Sequence, residues 1–379
     1  MQPLTWCEVS RSALMHNVRE LRRAVGARPL LAPVVKANAY GHGTLIAARA
    51  FLAAGADWLC VNEVREAALL RAAGLGCPIL VVGHVPPSHV PVAADLGLRF
   101  VAYDQAVVSA AAAEGVRLGV PVRLHVKVET GNHRQGLSHV DAVSLAALIE
   151  ATDGVALEGA STHFADVEDT TDHSFAELQL ARFRAFVEAC RGRGMSLPVL
   201  HCANSAAAIL WEEAGFDLVR PGIAAYGMWP SKETLISALL ERRHHLTLEP
   251  ALTWKALIAQ VKPVSAGSWV GYGRSWQATH DMRLAVVTVG YYDGYDRRLS
   301  NQAHVLVRGH RAPVVGRVCM DFIMVDVSDV PDVAPGEEAV LLGASGGGRI
   351  SAEQLAGWIG TINYEVTTRI GEHVPRIEA

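Results

Sequence analysis

The chain lacks most of the signals that would assign it to a functional class at once. Its six cysteines, Cys7, Cys60, Cys77, Cys190, Cys202 and Cys319, show no C-x-x-C spacing, so they read as reduced thiols of a cytoplasmic protein, not as a disulfide framework. There is no basic stripe and no acidic tail, because 34 Lys and Arg are interleaved with 38 Asp and Glu for a net charge of −4. Nucleic acid is disfavoured as a partner, which leaves small molecules or a second copy of the chain. No uncharged run is long enough to span a bilayer, and the opening Met-Gln-Pro-Leu-Thr-Trp-Cys-Glu has no basic region followed by an apolar one. Neither membrane insertion nor export is expected. The histidines, His244 and His245 included, show no H-x-H or H-E-x-x-H spacing, so a metal-dependent barrel hydrolase rests on His163 and His201 alone. Gly346-Gly347-Gly348 lacks the lysine and helix of a phosphate loop and reads as a turn.

What is present is a repeating pattern. Half of the 379 residues are hydrophobic, enough for one large domain plus a smaller one. Apolar runs at 30–36, 57–61, 78–82, 99–103, 122–128, 155–161, 198–202 and 217–220 read as strands. Alanine-rich amphipathic stretches such as 63–73, 105–114 and 177–190 lie between them and read as helices. Eight such alternations in roughly 240 residues predict an α/β fold, a (β/α)8 TIM barrel. The rival, a doubly wound open sheet, would carry a glycine fingerprint after its first strand, where this chain carries Lys36. Past residue 243 the runs 252–264, 283–289, 304–307, 311–319, 322–327 and 339–342 read as strands, with 352–359 as the one helical stretch. This predicts a barrel over residues 1–240 and a smaller, mainly β C-terminal domain over 241–379. The first strand, residues 5–9 with Trp6, is expected to pack with that second domain because the barrel count is complete without it.

In such a barrel the chemistry sits at the carboxyl ends of the strands. The first strand ends in Lys36, followed by Tyr40 and His42. A buried strand tip is a costly place for an ammonium group unless a partner or a reaction uses it. The fifth strand offers Lys127, Glu129 and, after a turn, Arg134; the sixth ends in Thr162-His163, the seventh in Ala203-Asn204-Ser205 and the eighth in Arg220-Pro221-Gly222-Ile223. The loops after strands seven and eight are where these barrels recurrently hold phosphate. Asn204-Ser205 opens a helix there and Gly222-Ile223 lets backbone approach a ligand, although a plain helix cap competes as the reading of Asn204-Ser205. A lysine, an arginine and a phosphate site on one rim suggest pyridoxal 5'-phosphate (PLP) held as a Schiff base on Lys36, with Arg220 facing the ring nitrogen. A guanidinium donates to that nitrogen without protonating it. The ring is then a poorer electron sink, which favours reprotonation at Cα over transamination.

These residues resemble the alanine racemases, PLP enzymes of fold type III. The motifs that carry the resemblance are Val35-Lys36-Ala37-Asn38-Ala39-Tyr40-Gly41-His42-Gly43, Lys127-Val128-Glu129-Thr130-Gly131 with Arg134, Thr162-His163-Phe164, His201-Cys202-Ala203-Asn204-Ser205 and Arg220-Pro221-Gly222-Ile223. They continue in the family's order with Gly271-Tyr272-Gly273, Gly290-Tyr291-Tyr292-Asp293-Gly294-Tyr295, Gly316-Arg317-Val318-Cys319-Met320-Asp321 and Ile362-Asn363-Tyr364-Glu365. The resemblance implies racemisation of L- and D-alanine, supplying D-alanine for peptidoglycan, in a homodimer whose active site is shared between subunits. It implies Lys36 as cofactor lysine and base for the D-enantiomer, and Tyr272 from a partner subunit as base for the L-enantiomer. Inverting a centre needs proton groups on opposite faces, so one base serves poorly for both. Tyr40, Ser205, Gly222, Ile223 and Tyr364 are implied to bind the phosphate with Asn204 beside them, His163 to stack near the ring and Arg220 to meet its nitrogen. Arg134 and the Met320 backbone are implied to hold the substrate carboxylate, Tyr291 and Tyr364 to narrow the entrance, and Lys127 to carry a carbamate between cations.

One stretch departs from the family's usual Asp-Thr-Gly-Met and Arg-Leu-Gly: here it is Glu129-Thr130-Gly131-Asn132-His133-Arg134-Gln135-Gly136. Because it lies next to the substrate carboxylate, serine or a larger amino acid is the alternative substrate. A non-catalytic PLP-carrier protein of the same barrel is a second alternative, but it has no β domain, whereas about 135 residues follow the barrel here, Tyr272 among them. The downstream pattern of an amino-acid decarboxylase of this architecture is not found.

Overall fold

A computed structural model describes residues 3–240 and 246–379; His244 and His245 lie outside the described residues. The chain divides into two units, one of Ser12–Ala39 with Ala47–Glu249, the other of the residues up to Arg11, Tyr40–Ile46 and Pro250–Ala379. Strands are numbered along the chain, starting with β1 (Thr5–Val9) in the second of these.

In the first unit, eight short strands alternate with helices: β2 (Leu30–Leu31), β3 (Leu59–Val61), β4 (Ile79–Val81), β5 (Arg99–Ala102), β6 (Val122–Lys127), β7 (Val155–Ser161), β8 (Val199–His201) and β9 (Leu218–Val219). Strands β3 to β8 are paired in sequence order and in parallel, and β2 pairs in parallel with β9. Val34 bridges Cys60 at one seam, and at the other the Asp217 N–H donates to the Leu200 carbonyl at 3.1 Å. The sheet therefore closes into the eight-stranded parallel barrel. Its strands are shorter than the apolar runs, most visibly at β2, where Pro33 has no N–H to continue the ladder. Residues of β3 and β4 are buried throughout, as parallel strands covered on both faces require. The helix Ser174–Arg191 shows how the outer ring is attached. Its buried Ala176, Leu180, Phe183, Phe186, Val187 and Cys190 recur at helical spacing, and each buried phenylalanine contributes about 1.5–3 kcal/mol of transfer free energy.

The second unit is built on β10 (Leu252–Val264), whose residues 252–258 alternate buried and half-buried with the strand period. It is followed by β11 (Trp269–Val270), β12 (Trp276–Gln277), β13 (Met282–Val287), β14 (His304–Val307), β15 (His310–Pro313), β16 (Ile323–Asp326), β17 (Glu338–Ser345), β18 (Gly348–Ile350) and β19 (Arg376–Glu378). Strand β1 pairs antiparallel with β10, Trp6 opposite Lys255. The short strands β11, β12, β18 and β19 lie outside the runs read as strands from the sequence, and two further local readings differ. The run 311–319 is a strand only to Pro313, because Gly316 adopts φ 81° and turns the chain. A second helix, Asn363–Thr368, follows Ala352–Ile359; it is a short segment that the mixed Asn-Tyr-Glu-Val-Thr-Thr composition does not announce. No helix among the described residues is long and apolar enough to cross a membrane.

Candidate active site

Lys36 lies just beyond the first barrel strand, two residues past the Val34 bridge to Cys60, and the next four residues form an unusual turn. Ala37, Asn38, Ala39 and Tyr40 have φ of 53°, 51°, 54° and 53°, one turn of left-handed backbone made without a glycine. Such a conformation costs roughly 1–2 kcal/mol per L-residue, so the surroundings must hold it. The Glu66 carboxylate accepts the Ala37 N–H at 2.7 Å and the Asn62 N–H at 2.7 Å, and the Ala39 N–H donates to the Val35 carbonyl at 3.1 Å. Tyr226 Oη donates to the Val34 carbonyl at 2.7 Å, tying the strand end to the segment after β9. Glu66 and Tyr226 are positioning residues that motif reading passed over, since neither carries a signal until the chain is folded.

Around this lysine the barrel unit gathers basic groups and few acids. Burial and then the Arg134 charge hold the Lys36 amine below the ordinary lysine range, against the opposing pull of Glu66. Lys127 is buried on the last position of β6, and its pKa lies well below the usual value, first from desolvation and then from Arg220 and Arg134. His163 is likewise held well below its usual value by desolvation and by Lys127, Arg220, Arg134 and Lys36. The guanidinium charges of Arg134 and Arg220 in this set invite anions and repel a metal cation. The metal-hydrolase reading loses its second histidine as well, because His201 lies against Arg220 and hydrogen-bonds His125 at 2.8 Å. No group of three or more metal-ligating side chains occurs among the described residues.

Arg220 is 6% exposed, and its guanidinium is fastened by donation to the Thr162 carbonyl at 3.0 Å and the Cys202 carbonyl at 3.2 Å. Across the rim the Ser205 hydroxyl accepts the Gly222 N–H at 2.8 Å, which brings Ser205, Gly222 and Ile223 to one spot. Asn204 is a helix cap after all: its Oδ1 accepts the Ala207 N–H at 3.0 Å while its Nδ2 donates to Glu168 at 2.8 Å. With both ends of its side chain engaged, Asn204 shapes this corner through its backbone. The variant loop 129–136 is folded onto Glu129. Burial pushes that carboxyl up, but the backbone N–H groups of Gly131, His133 and Asn132 outweigh it and hold the pKa below the usual range. Gln179, another residue the sequence did not single out, donates to Thr130 Oγ1 at 3.2 Å and to the His163 carbonyl at 3.3 Å, joining the loops after β6 and β7. A narrow cleft lies between them, lined by Lys127, Arg134, Gln135 and His163 among others.

The mainly β unit holds the remaining candidates. Tyr40 and Tyr364 face each other with ring centroids 6.0 Å apart. Tyr291 and Met320 share one ridge, because the Tyr291 N–H donates to the Cys319 carbonyl and the Tyr292 N–H to the Met320 carbonyl, both at 3.0 Å. Tyr272 sits on the turn between β11 and β12 with 72% of its surface exposed. A Cβ on Gly273 would lie 2.9 Å from the Arg317 guanidinium and one on Gly271 2.9 Å from Met324, so the flanking glycines let this turn pack closely beneath the tyrosine.

Comparison with known proteins places the whole length. Residues 9–230 match the model of the alanine racemase N-terminal domain and residues 251–378 that of the C-terminal domain. The chain is 40% identical to the alanine racemase of Desulfovibrio desulfuricans, over 98% of this chain and 97% of that one. It is 41% identical to the alanine racemase of Symbiobacterium thermophilum over 99% and 97%. Among solved structures, alanine racemase from D-cycloserine producing Streptomyces lavendulae superposes with a TM-score of 0.91 at 36% identity, covering 100% of this chain and 98% of that one. Alanine racemase from Bacillus anthracis with bound L-Ala-P gives a TM-score of 0.91 at 33% identity, covering 100% and 96%. Barrel, mainly β unit and sequence agree over nearly every residue, and the chain belongs to the alanine racemase family.

Proposed function

We propose that this protein is an isomerase that interconverts L- and D-alanine with PLP, and that its D-alanine serves peptidoglycan synthesis. The observation that carries the reading is the convergence of Lys36, Lys127, Arg134, His163 and Arg220 in the barrel unit. The donor set fits PLP: an amine of lowered basicity for its aldehyde, a fixed guanidinium for its ring nitrogen and the Ser205–Gly222 corner for its phosphate. When bound, PLP acidifies the amino-acid Cα–H by drawing electrons from it. Tyr40, Ser205, Gly222, Ile223 and Tyr364 are assigned to the phosphate, with Asn204 shaping that corner; His163 lies beside the ring and Arg220 at its nitrogen. Arg134 and the Met320 backbone orient the substrate carboxylate, and Tyr291 with Tyr364 restricts entry. Lys36 Nζ holds and delivers the proton on one face of Cα, and the hydroxyl of the partner subunit's Tyr272 does so on the other.

A homodimer is supported by the exposure of Trp269, Tyr272, Tyr291, Tyr292, Met320 and Phe322, each between 44% and 72%, more apolar surface than a solitary β unit usually leaves in water. Six cysteines, all unpaired and four of them buried, support a cytoplasmic setting. Racemisation of serine or a larger amino acid is a second reading, favoured by Asn132 and Gln135 beside Arg134, with the Gln135 Nε2 buried and lacking a hydrogen-bond partner among the described residues. The deciding experiment is a visible spectrum of protein supplied with PLP, followed by a racemisation assay over a panel of amino acids. Alanine as the fastest substrate is expected; a protein that takes up no PLP would sink the reading.

Two further outcomes are expected. Lys127 carries a carbamate: its neutral amine adds carbon dioxide and releases a proton, and the carbamate supplies the negative charge that Arg134 and Arg220 lack. Peptide mass analysis under carbon dioxide should show that added mass on Lys127, and its absence would count against the modification. The second concerns pH. Only a neutral Lys36 amine attacks the aldehyde, so PLP uptake by the apoprotein should accelerate as pH rises through the Lys36 pKa. Arg134→Leu removes a neighbouring cation, which makes protonation of Lys36 easier. The acid limb of that profile should therefore move to higher pH, and stopped-flow absorbance would show it; an unmoved limb would contradict the assigned coupling.

A further inference from the structure

A line of hydrogen bonds runs through the barrel interior behind Arg220, and none of its inner members has a place in the chemistry above. Arg220 lies against His201 Nδ1; His201 Nε2 is 2.8 Å from His125 Nδ1; and His125 Nε2 is 3.0 Å from Glu158 Oε2. Glu158 is held in turn by Arg99 Nε at 2.8 Å and Arg123 Nε at 3.4 Å, from the first residue of β5 and the second of β6. The line thus crosses from the amino-terminal rim to the carboxyl rim where Lys36 stands.

Its proton positions follow from its two ends. A guanidinium can only donate and a carboxylate can only accept. His201 must therefore present a lone pair at Nδ1 and carry its proton on Nε2, and His125 must do the same so that its Nε2–H reaches Glu158. Any other neutral tautomer sets two lone pairs or two N–H groups against each other. A protonated His201 would set its N–H against that of Arg220. The electrostatics agree: desolvation, followed by Arg220, His125 and Lys127, holds His201 well below its usual pKa. Desolvation likewise lowers that of His125 in spite of the opposing Glu158.

The backbone is shaped to permit this. The β6–β7 register steps from Leu124 opposite Leu157 to His125 opposite Gly159, leaving Glu158 as the extra residue of a bulge that re-aims its side chain. A Cβ on Gly159 would stand 2.8 Å from His125 Nδ1 and 2.1 Å from the Val199 carbonyl, so the imidazole occupies the space a side chain would need.

We propose that Glu158, acting through His125 and His201, is a positioning residue for Arg220: the chain fixes one tautomer in each imidazole and presents the guanidinium with an oriented, polarised acceptor. This rests on the reading that Arg220 serves PLP. Polarisation along the line keeps a buried guanidinium paired where no carboxylate among the described residues touches it. The remaining N–H groups of Arg220 then stay aimed at their target, as outer-shell partners do for a ligating histidine.

Side-chain 15N NMR of the histidines in the wild-type apoprotein and holoprotein is the first test. His125 and His201 should both be neutral Nε2–H tautomers in each form. A protonated or Nδ1–H His201 overturns the proposal, whether or not any variant folds. Glu158→Gln is the second, since an amide end can donate or accept and no longer dictates the sense of the line. It should shift the His201 tautomer population, weaken PLP binding by about 10–100-fold, as loss of the hydrogen-bond partner behind a ligating side chain does at metal sites, and displace the visible band of bound PLP. A variant that loses thermal stability alone, with tautomers, PLP affinity and band unmoved, gives Glu158 a merely structural role and overturns the proposal. Wild-type protein that takes up no PLP fails the parent reading instead, and the apoprotein tautomers still decide whether the line is ordered as stated.

Discussion

Lys36→Ala is expected to remove racemisation altogether, by a factor of at least about 10⁴ in kcat, because one substitution deletes both the attachment point and a proton-transfer group worth about 10²–10⁴-fold by itself. The fold should survive. Lys36 is half-buried, and the left-handed turn that follows it is secured by Glu66 and by backbone bonds, not by the lysine side chain. Borohydride reduction of the parent protein supplied with PLP should add the cofactor's mass to the peptide containing Lys36 and to no other. The variant should gain none. Activity within about tenfold of the parent would mean that another amine, with Lys127 the nearest in chemistry, carries the cofactor. The depressed basicity of Lys127 makes that comparison a strict one, because basicity alone would not tell the two lysines apart.

The second large effect concerns Tyr272. Tyr272→Phe removes the hydroxyl while keeping the ring on its exposed turn, and it should slow racemisation by about 10²–10⁴-fold with little change in stability. Proton exchange at Cα should remain for one enantiomer and be lost for the other, because Lys36 still serves its own face. Mixing this variant with Lys36→Ala provides the stronger test. Each parent dimer is inactive, but a mixed dimer pairs one intact Lys36 with one intact Tyr272. A statistical mixture should thus recover roughly a quarter of wild-type activity, half of the dimers each holding one whole site of two. Proven subunit exchange with no recovery would show that each site is complete within one chain.

Much of this molecule was legible before folding, and the reason is locality. Strand and helix periods are set by neighbours a few residues apart, so the barrel's eight alternations were visible as apolar runs and only their lengths shrank, as at Pro33. The same holds for the candidate residues at strand ends: once the strands are counted, Lys36, Lys127, His163 and Arg220 must lie on one rim. The Asn204 cap was also open to a local reading, and its side chain chose the capping alternative because the Ala207 N–H lies one turn away.

What the sequence determined by itself was the order of elements, the rim and the chemical types placed on it, since these depend on short-range pattern and residue identity. Tertiary structure alone decided the rest. Ala37-Asn38-Ala39-Tyr40 has the composition of an ordinary right-handed turn, and its left-handed form exists because Glu66, 29 positions downstream of Ala37, receives the Ala37 N–H. His125 and His201 stand 76 positions apart in sequence and become a pair only when β6 and β8 face the same interior. Their lowered pKa values, like the lowered basicity of Lys36 and Lys127, come from desolvation and from charges brought close by the closed barrel, and no local stretch of chain contains either cause.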